Sequence, residues 1–216
     1  VPKQPLIVGN PVLVVVDMQE AGDMPAEEVG IEHMPGYDGR IERAQRLIET
    51  ARAAQIPIVF FQEVHRPSGI DFGRELDGVE GEHCVDGRPG TPLHPALLPN
   101  FDGPNHEFHI VKRRYSGFIG TEFEIVLSGL KASTLILVGG LTDVCVHYTF
   151  ADAHQRDFYV RVVTDCVGGS TQYRHDAALD AMEYLQTGAM RTTDEILEAF
   201  AELAPAVAPV LEGAVR

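Results

Sequence analysis

PVLVVVD, residues 11–17, is an apolar and mostly β-branched run that stops on an acid. A strand with one wet face alternates apolar and polar residues, so an unbroken run points to a strand buried on both faces. IPIVFF (56–61), FHIV (108–111), TLILVGGL (134–141) and YVRVV (159–163) repeat the pattern. Helical periodicity fills the gaps between them. Ile41, Ala44, Leu47, Ile48 and Ala51 share one helical face, and Asp38 is placed to cap that helix. Thr121 with Glu124, and Thr192 with Glu195, have the spacing of capping boxes. The second box opens a helix expected to turn Ile196, Leu197, Phe200 and Leu203 inward, and residues 177–185 also read as helical. Buried strands alternating with amphipathic helices predict an α/β fold. The expected form is a single-domain, doubly wound, mainly parallel sheet of about six strands with helices on both faces. The chain has 216 residues, which suits one domain spanning positions 1–216.

The formal net charge of −15 argues against nucleic acid as a partner, because phosphate contacts need clustered Lys and Arg. It argues equally against an anionic membrane surface. No stretch approaches the roughly 20 apolar residues of a membrane span, and no signal-peptide pattern opens the chain. Three cysteines without paired spacing do not suggest a disulfide scaffold, so a reducing cytoplasm is the expected location.

In a doubly wound sheet the ligand site lies beyond the carboxyl ends of the strands. That rule selects Asp17 after the first strand, Glu63 after the second, Lys112 after the third and Cys145 just past the fourth. Asp165 and Cys166 are expected to end the fifth. Residues 64–104 are rich in Gly, Pro, His and acids and show no period; so long a loop often lines an active site. Cys145 follows GGLTDV at the start of a helix, where unpaired N–H groups favour a thiolate and can hold an oxyanion. Lys112 would add positive charge beside the sulfur. Asp17 could hold Lys112, accept the thiol proton and pass it to a leaving amine.

Other chemistries fit less well. His147 stands two residues from Cys145, a rotation of roughly 200° on a helix, so it faces away from the thiol. Cys166 is followed by VGGS rather than a helix start and reads as structural; Cys84, in the long loop, reads as uninvolved in catalysis. Glu63, His65, Asp71 and His83 are metal-capable, but their spacing matches no tight zinc pattern, so neither a metal nor another cofactor is expected. Candidate substrate contacts are Glu63, His65, Arg66, Tyr115, Phe118 and, past the fifth strand, Gln172.

VLVVVDMQ, KRRYSGFIGTEFE, GGLTDVCV and DAHQRDFYVRVVTDCVGG, in this order and spacing, resemble the isochorismatase-like cysteine hydrolases over nearly the whole chain. The resemblance implies a catalytic triad of Asp17, Lys112 and Cys145, and a cis peptide at Gly140–Leu141. It also implies an oxyanion hole from the N–H groups of Leu141 and Cys145, and a homodimer or homotetramer. Members acting on the vinyl ether of isochorismate lack the cysteine, so its presence implies the amidase branch and a small-molecule amide substrate. The expected reaction is cleavage of a small amide or carbamoyl C–N bond through a thioester, with ammonia or an amine released. An ether or ester hydrolase, or a non-catalytic binding member of the fold, is the alternative. Nicotinamidases resemble the chain less well: their metal motif reads Asp-x-His with further histidines, whereas Glu63-Val64-His65 stands here and one histidine of the set is missing. RRYSGF and VCVHYT lie closer to the carbamoyl-amide members.

Overall fold

A computed structural model describes residues 5–204. The expected domain span of 1–216 therefore runs at both ends into positions outside the described residues. Six strands form one sheet: β1 (Asn10–Val16), β2 (Ile58–Glu63), β3 (Glu107–Lys112), β4 (Ala132–Gly140), β5 (Tyr159–Gly168) and β6 (Met190–Arg191). Their order is β3-β2-β1-β4-β5-β6, and every neighbouring pair is parallel. The chain moves outward from β1 to β3 and then returns to place β4 on the other side of β1. The direction of winding thus reverses between β1 and β4, which opens a crevice at their carboxyl ends.

The unbroken apolar runs feed two cores. Val12, Val14 and Val16 of β1 face one side with Val59, Phe61, Leu135 and Leu137. Helices α3 (Phe123–Gly129), α4 (His147–His154) and α5 (Gln172–Leu185) cover that side through Phe123, Phe150 and Met182. Leu13 and Val15 face the other side, where α2 (Tyr37–Ala53) and α6 (Thr193–Leu203) pack through Leu47, Ile48, Ile196 and Phe200. A one-turn helix, α1 (Ala26–Val29), precedes α2. Alternate residues of each strand thus bury against opposite layers, and each such side chain contributes roughly 1.5–3 kcal/mol.

Several expected boundaries shift. Helix α2 begins at Tyr37 with Gly36 as its N-cap, so Asp38 sits inside the first turn instead of capping it. The Thr121–Glu124 capping box does not form. Glu122 is the cap residue of α3, and Thr121 Oγ1 accepts from the Phe123 N–H. The Thr192–Glu195 box is present in full. In α6, Ile196 and Phe200 are buried, but Leu203 is exposed, because the helix ends there beyond the reach of the core. Strand β5 runs on to Gly168, and its pairing with β4 jumps from Leu137↔Val162 to Gly139↔Val167. Asp165 and Cys166 therefore lie within β5 and not at its end. Asp165 Oδ1 accepts from the Thr193 N–H and hydroxyl at the start of α6, and Cys166 is fully buried against α2.

Candidate active site

Four strand ends meet at the crevice. Asp17 leaves β1 with φ of 47°, a left-handed turn that few non-glycine residues adopt and that Asp tolerates better than most. Beside it, Gly139 of β4 has φ of 110°, and a Cβ there would stand 2.0 Å from the Val16 carbonyl oxygen. Only glycine allows β4 to pass β1 so closely before the chain turns toward Cys145. The Gly140–Leu141 peptide is cis. Cys145 then lies in a short wide turn of helix, Thr142–Val146, that runs directly into α4.

Lys112 ends β3, two strands away from Asp17, and its fully buried side chain reaches across the end of β2. Lys112 Nζ lies 2.8 Å from Asp17 Oδ2, 3.5 Å from Glu63 Oε2 and 3.4 Å from Cys145 Sγ, to which it donates. The thiol in turn donates to Glu63 Oε2 at 3.7 Å. Asp17, Glu63 and Cys145 each present an atom within 4.8 Å of the others. One ammonium, two carboxylates and a thiol thus share one buried point.

The electrostatics separate the two acids. Burial raises the Asp17 carboxyl above its ordinary range, to about 6, against the pull of Lys112. Glu63 is equally buried, but Lys112, His65 and His83 together hold it below the ordinary range. Burial, reinforced by the Glu63 charge, pushes the Cys145 thiol well up, and Lys112 offsets only part of this. The sequence-based expectation of a resting thiolate therefore needs correction. The sulfur is 4% exposed, and with two carboxylates for neighbours it rests as a thiol.

Asp17, Glu63, Cys145, Leu141 and Tyr115 line one cavity of about 90 Å³. Of the other expected substrate contacts, Phe118 packs in the core against Phe123 and Phe158. Gln172 is exposed at the start of α5 and donates to Asp176, and Arg66 pairs with Asp71. His65 is fully buried behind Glu63. None of these four is on the cavity wall. Cys84, read from the sequence as uninvolved, does line the cavity, and Gln19 Nε2 donates to its sulfur at 3.7 Å. Gln19 was missed, although it sits in the DMQ segment. Its amide accepts from the Glu63 N–H and donates to the Glu63 and Thr91 carbonyls, which holds the end of β2 in place. Arg40 also lines the cavity and was missed, because its position on the apolar-faced α2 reads as helix surface.

The long loop gathers a second group. Glu63, His65, Glu75 and His83 are all buried and offer one ligand atom each within 4.8 Å of the others. Glu75, and not Asp71, joins Glu63, His65 and His83 in this group. His65 Nε2 lies 3.1 Å from Glu75 Oε2 and 3.7 Å from Glu63 Oε1, while its Nδ1 is 3.6 Å from Asp71 Oδ1. These pairs are close but poorly aligned, so Glu63 Oε1, both Glu75 oxygens, both His65 nitrogens and His83 Nε2 make no hydrogen bond. Two imidazoles and two carboxylates with free lone pairs fit a first-row divalent cation, which would place a fixed positive charge behind Glu63. The same groups also balance with a proton alone. Burial lowers His65, but Glu63 and Glu75 outweigh it and raise its pKa to about 9.

A parallel sheet wound in this order, with a thiol, an amine and a carboxylate gathered at its switch point, defines a cysteine hydrolase. The isochorismatase domain model matches residues 11–195, and the chain belongs to that family. It is 30% identical over 202 residues to the ureidoacrylate amidohydrolase RutB of Methylorubrum extorquens, covering 85% of this chain and 75% of the relative. Among solved structures, an isochorismatase-like hydrolase from Alkaliphilus metalliredigens superposes with a TM-score of 0.75 at 27% identity, covering 89% of this chain and all of that one. N-carbamoylsarcosine amidase from Thermoplasma acidophilum gives 0.70 at 25% identity, covering 86% and 97%. The chain is accordingly a hydrolase acting on carbon–nitrogen bonds of the amide type. Among the described residues no helix is long and apolar enough to cross a membrane.

Proposed function

We propose that the chain hydrolyses a small linear or carbamoyl amide through a thioester on Cys145, with Asp17 as the proton carrier. The observation that carries this reading is the position of Lys112 Nζ, 2.8 Å from Asp17 and 3.4 Å from the sulfur. Asp17, ionised above about pH 6, takes the thiol proton as the sulfur attacks the carbonyl carbon. Lys112 offsets the charge that appears on sulfur while remaining paired with Asp17. The carbonyl oxygen, now an alkoxide, takes hydrogen bonds from the N–H groups of Leu141 and Cys145. As the tetrahedral intermediate collapses, Asp17 returns its proton to the departing nitrogen, and ammonia or an amine leaves. Water then attacks the thioester, giving a proton to Asp17 and releasing the acid and the thiol.

The names of the relatives, a ureidoacrylate amidohydrolase and an N-carbamoylsarcosine amidase, support ureido and carbamoyl amides as the first compounds to try. The test is ammonia release from a panel of such amides by wild-type protein and by Cys145→Ala. Turnover should vanish in the variant, and mass spectrometry during slow turnover should find the acyl adduct on Cys145. Turnover at wild-type rate in Cys145→Ser, or an adduct confined to Cys84 or Cys166, would sink the reading.

A further inference from the structure

Arg40 stands in the first turn of α2, and its guanidinium reaches the wall of the cavity that holds Cys145. The residue is 8% exposed. Two of its nitrogens donate to the carbonyls of Pro35 and Met34, at 2.9 and 2.8 Å, and these carbonyls are neutral. Among the described residues no carboxylate pairs with it. Its other partner is the Tyr37 ring, 5.8 Å from Cζ. In a chain with 32 acids and 17 Lys and Arg, a buried cation held by neutral groups without a carboxylate calls for an explanation.

The acids on the same wall are already engaged. Asp17 and Glu63 share Lys112, and Glu80 accepts from the Tyr115 hydroxyl at 2.8 Å. The guanidinium instead lies flat over Gly168, where a Cβ would meet its Cζ at 2.6 Å. Gly168 pairs with Gly140, the residue that leads into Leu141 and the turn bearing Cys145. The absence of a side chain at Gly168 therefore brings the charge over the end of β5, one strand from where the reacting carbonyl oxygen would sit. A guanidinium has five donors, so Arg40 keeps donors to spare in a fork that suits a planar anion.

We infer that Arg40 is a specificity-determining residue that binds a carboxylate of the substrate, so that the amide cleaved at Cys145 carries a carboxylate on the same small skeleton. This assignment rests on the amide reading for the bond that is broken, but the anion site itself does not depend on turnover. The ligand brings the negative charge that the protein leaves out of this wall. Charge-assisted hydrogen bonds of this kind separate a charged ligand from a neutral one by about 10- to 100-fold.

The test compares N-carbamoylglycine with its neutral isostere isobutylurea. Binding is measured by calorimetry in Cys145→Ala protein, and turnover by ammonia release in protein with the thiol intact. The carboxylate compound should bind and turn over at least about 10-fold better. Arg40→Met should cut this preference to within about threefold, with the loss falling on the carboxylate compound, and Arg40→Lys should restore part of it. A purely structural Arg40 would lower stability and both compounds together, leaving their ratio in place, and that result overturns the proposal. Equal binding of the two compounds to Cys145→Ala overturns it without recourse to any Arg40 variant, including the case in which Arg40→Met fails to fold. Preferential, Arg40-dependent binding with no turnover of either compound would uphold the anion site and count against the amide reading instead.

Discussion

Glu63 and Lys112 are register partners at the carboxyl ends of β2 and β3, and their side chains meet at 3.5 Å. The pairing gives the site two carboxylates for one ammonium, since Asp17 takes the other side of Lys112 at 2.8 Å. A third negative charge, the thiolate, is therefore costly until the substrate carbonyl accepts it.

That balance predicts opposite effects from the two partners. Glu63→Gln removes a negative charge that raises the Cys145 thiol, so iodoacetamide should label Cys145 faster at neutral pH. Lys112→Met removes the positive charge that lowers it, so labelling should slow. A melting curve on each variant checks that the fold survives, because Lys112→Met leaves two buried carboxylates without their partner. Labelling that shifts in the same direction for both variants would refute the assigned charge balance.

The pH profile should carry the mark of Asp17. Its carboxyl is raised from 3.8 to about 6, and only the ionised form accepts the thiol proton. The profile of kcat/KM should therefore rise through about pH 6, with an acid limb well above that of an ordinary aspartate. Burial is the main cause of the rise, and the Glu63 charge adds to it. Glu63→Gln should move the limb to lower pH. A limb that stays in place in that variant would assign it to another group.

Much of this site was legible in the sequence because the rim rule needs only strand ends. PVLVVVD, FHIVK and TLILVGGL mark theirs sharply, and the three ends deliver Asp17, Lys112 and Cys145 to one place. The irregular stretch of β5 defeated the same rule for Asp165 and Cys166, since nothing in YVRVVTDCVGG signals where pairing slips. The loop was opaque for a different reason. His65, Glu75 and His83 come together through turns and short bridges, such as His65↔Val85, that have no period to read. Arg40 escaped because its role depends on the missing side chain at Gly168, more than a hundred residues further along the chain.

The buried loop cluster should make stability depend on pH in protein freed of metal by chelation. The folded pKa of His65, about 9, lies above its unfolded value of 6.5. A raised group of this kind contributes stability fully below pH 6.5, and the contribution is lost as pH rises through about 9. Tm should fall across that window. Glu75→Gln removes one of the two carboxylates that raise His65, so the fall should end at lower pH and be smaller. A Tm independent of pH between 6.5 and 9 would show that His65 is not held as an imidazolium. Turnover should persist in the chelated protein, because the proposed steps use only Asp17, Lys112 and Cys145. Loss of turnover on chelation, restored by one specific metal, would overturn that.

Gly139→Ala should be among the more damaging single-methyl additions in the chain. The added carbon would stand 2.0 Å from the Val16 carbonyl oxygen and 3.1 Å from Met18, in a backbone conformation with φ of 110° that side chains disfavour. Val16 and Gly139 are register partners in the two central strands, both packed on each face, so neither can withdraw without opening a core. The clash and the backbone strain together should cost about 3 kcal/mol or more, against roughly 1 kcal/mol for an ordinary substitution. For a domain of this size each kcal/mol lowers Tm by about 2–4 °C. The displacement also pushes Asp17 away from the turn bearing Cys145, so turnover should fall further than the folded fraction does. Gly129→Ala is the matched control. It closes α3, has nothing within 4 Å of the added carbon, and should be neutral or stabilise by about 0.5 kcal/mol. Similar melting temperatures for the two variants would mean that β1 and β4 are not held as tightly at the switch point as the site requires.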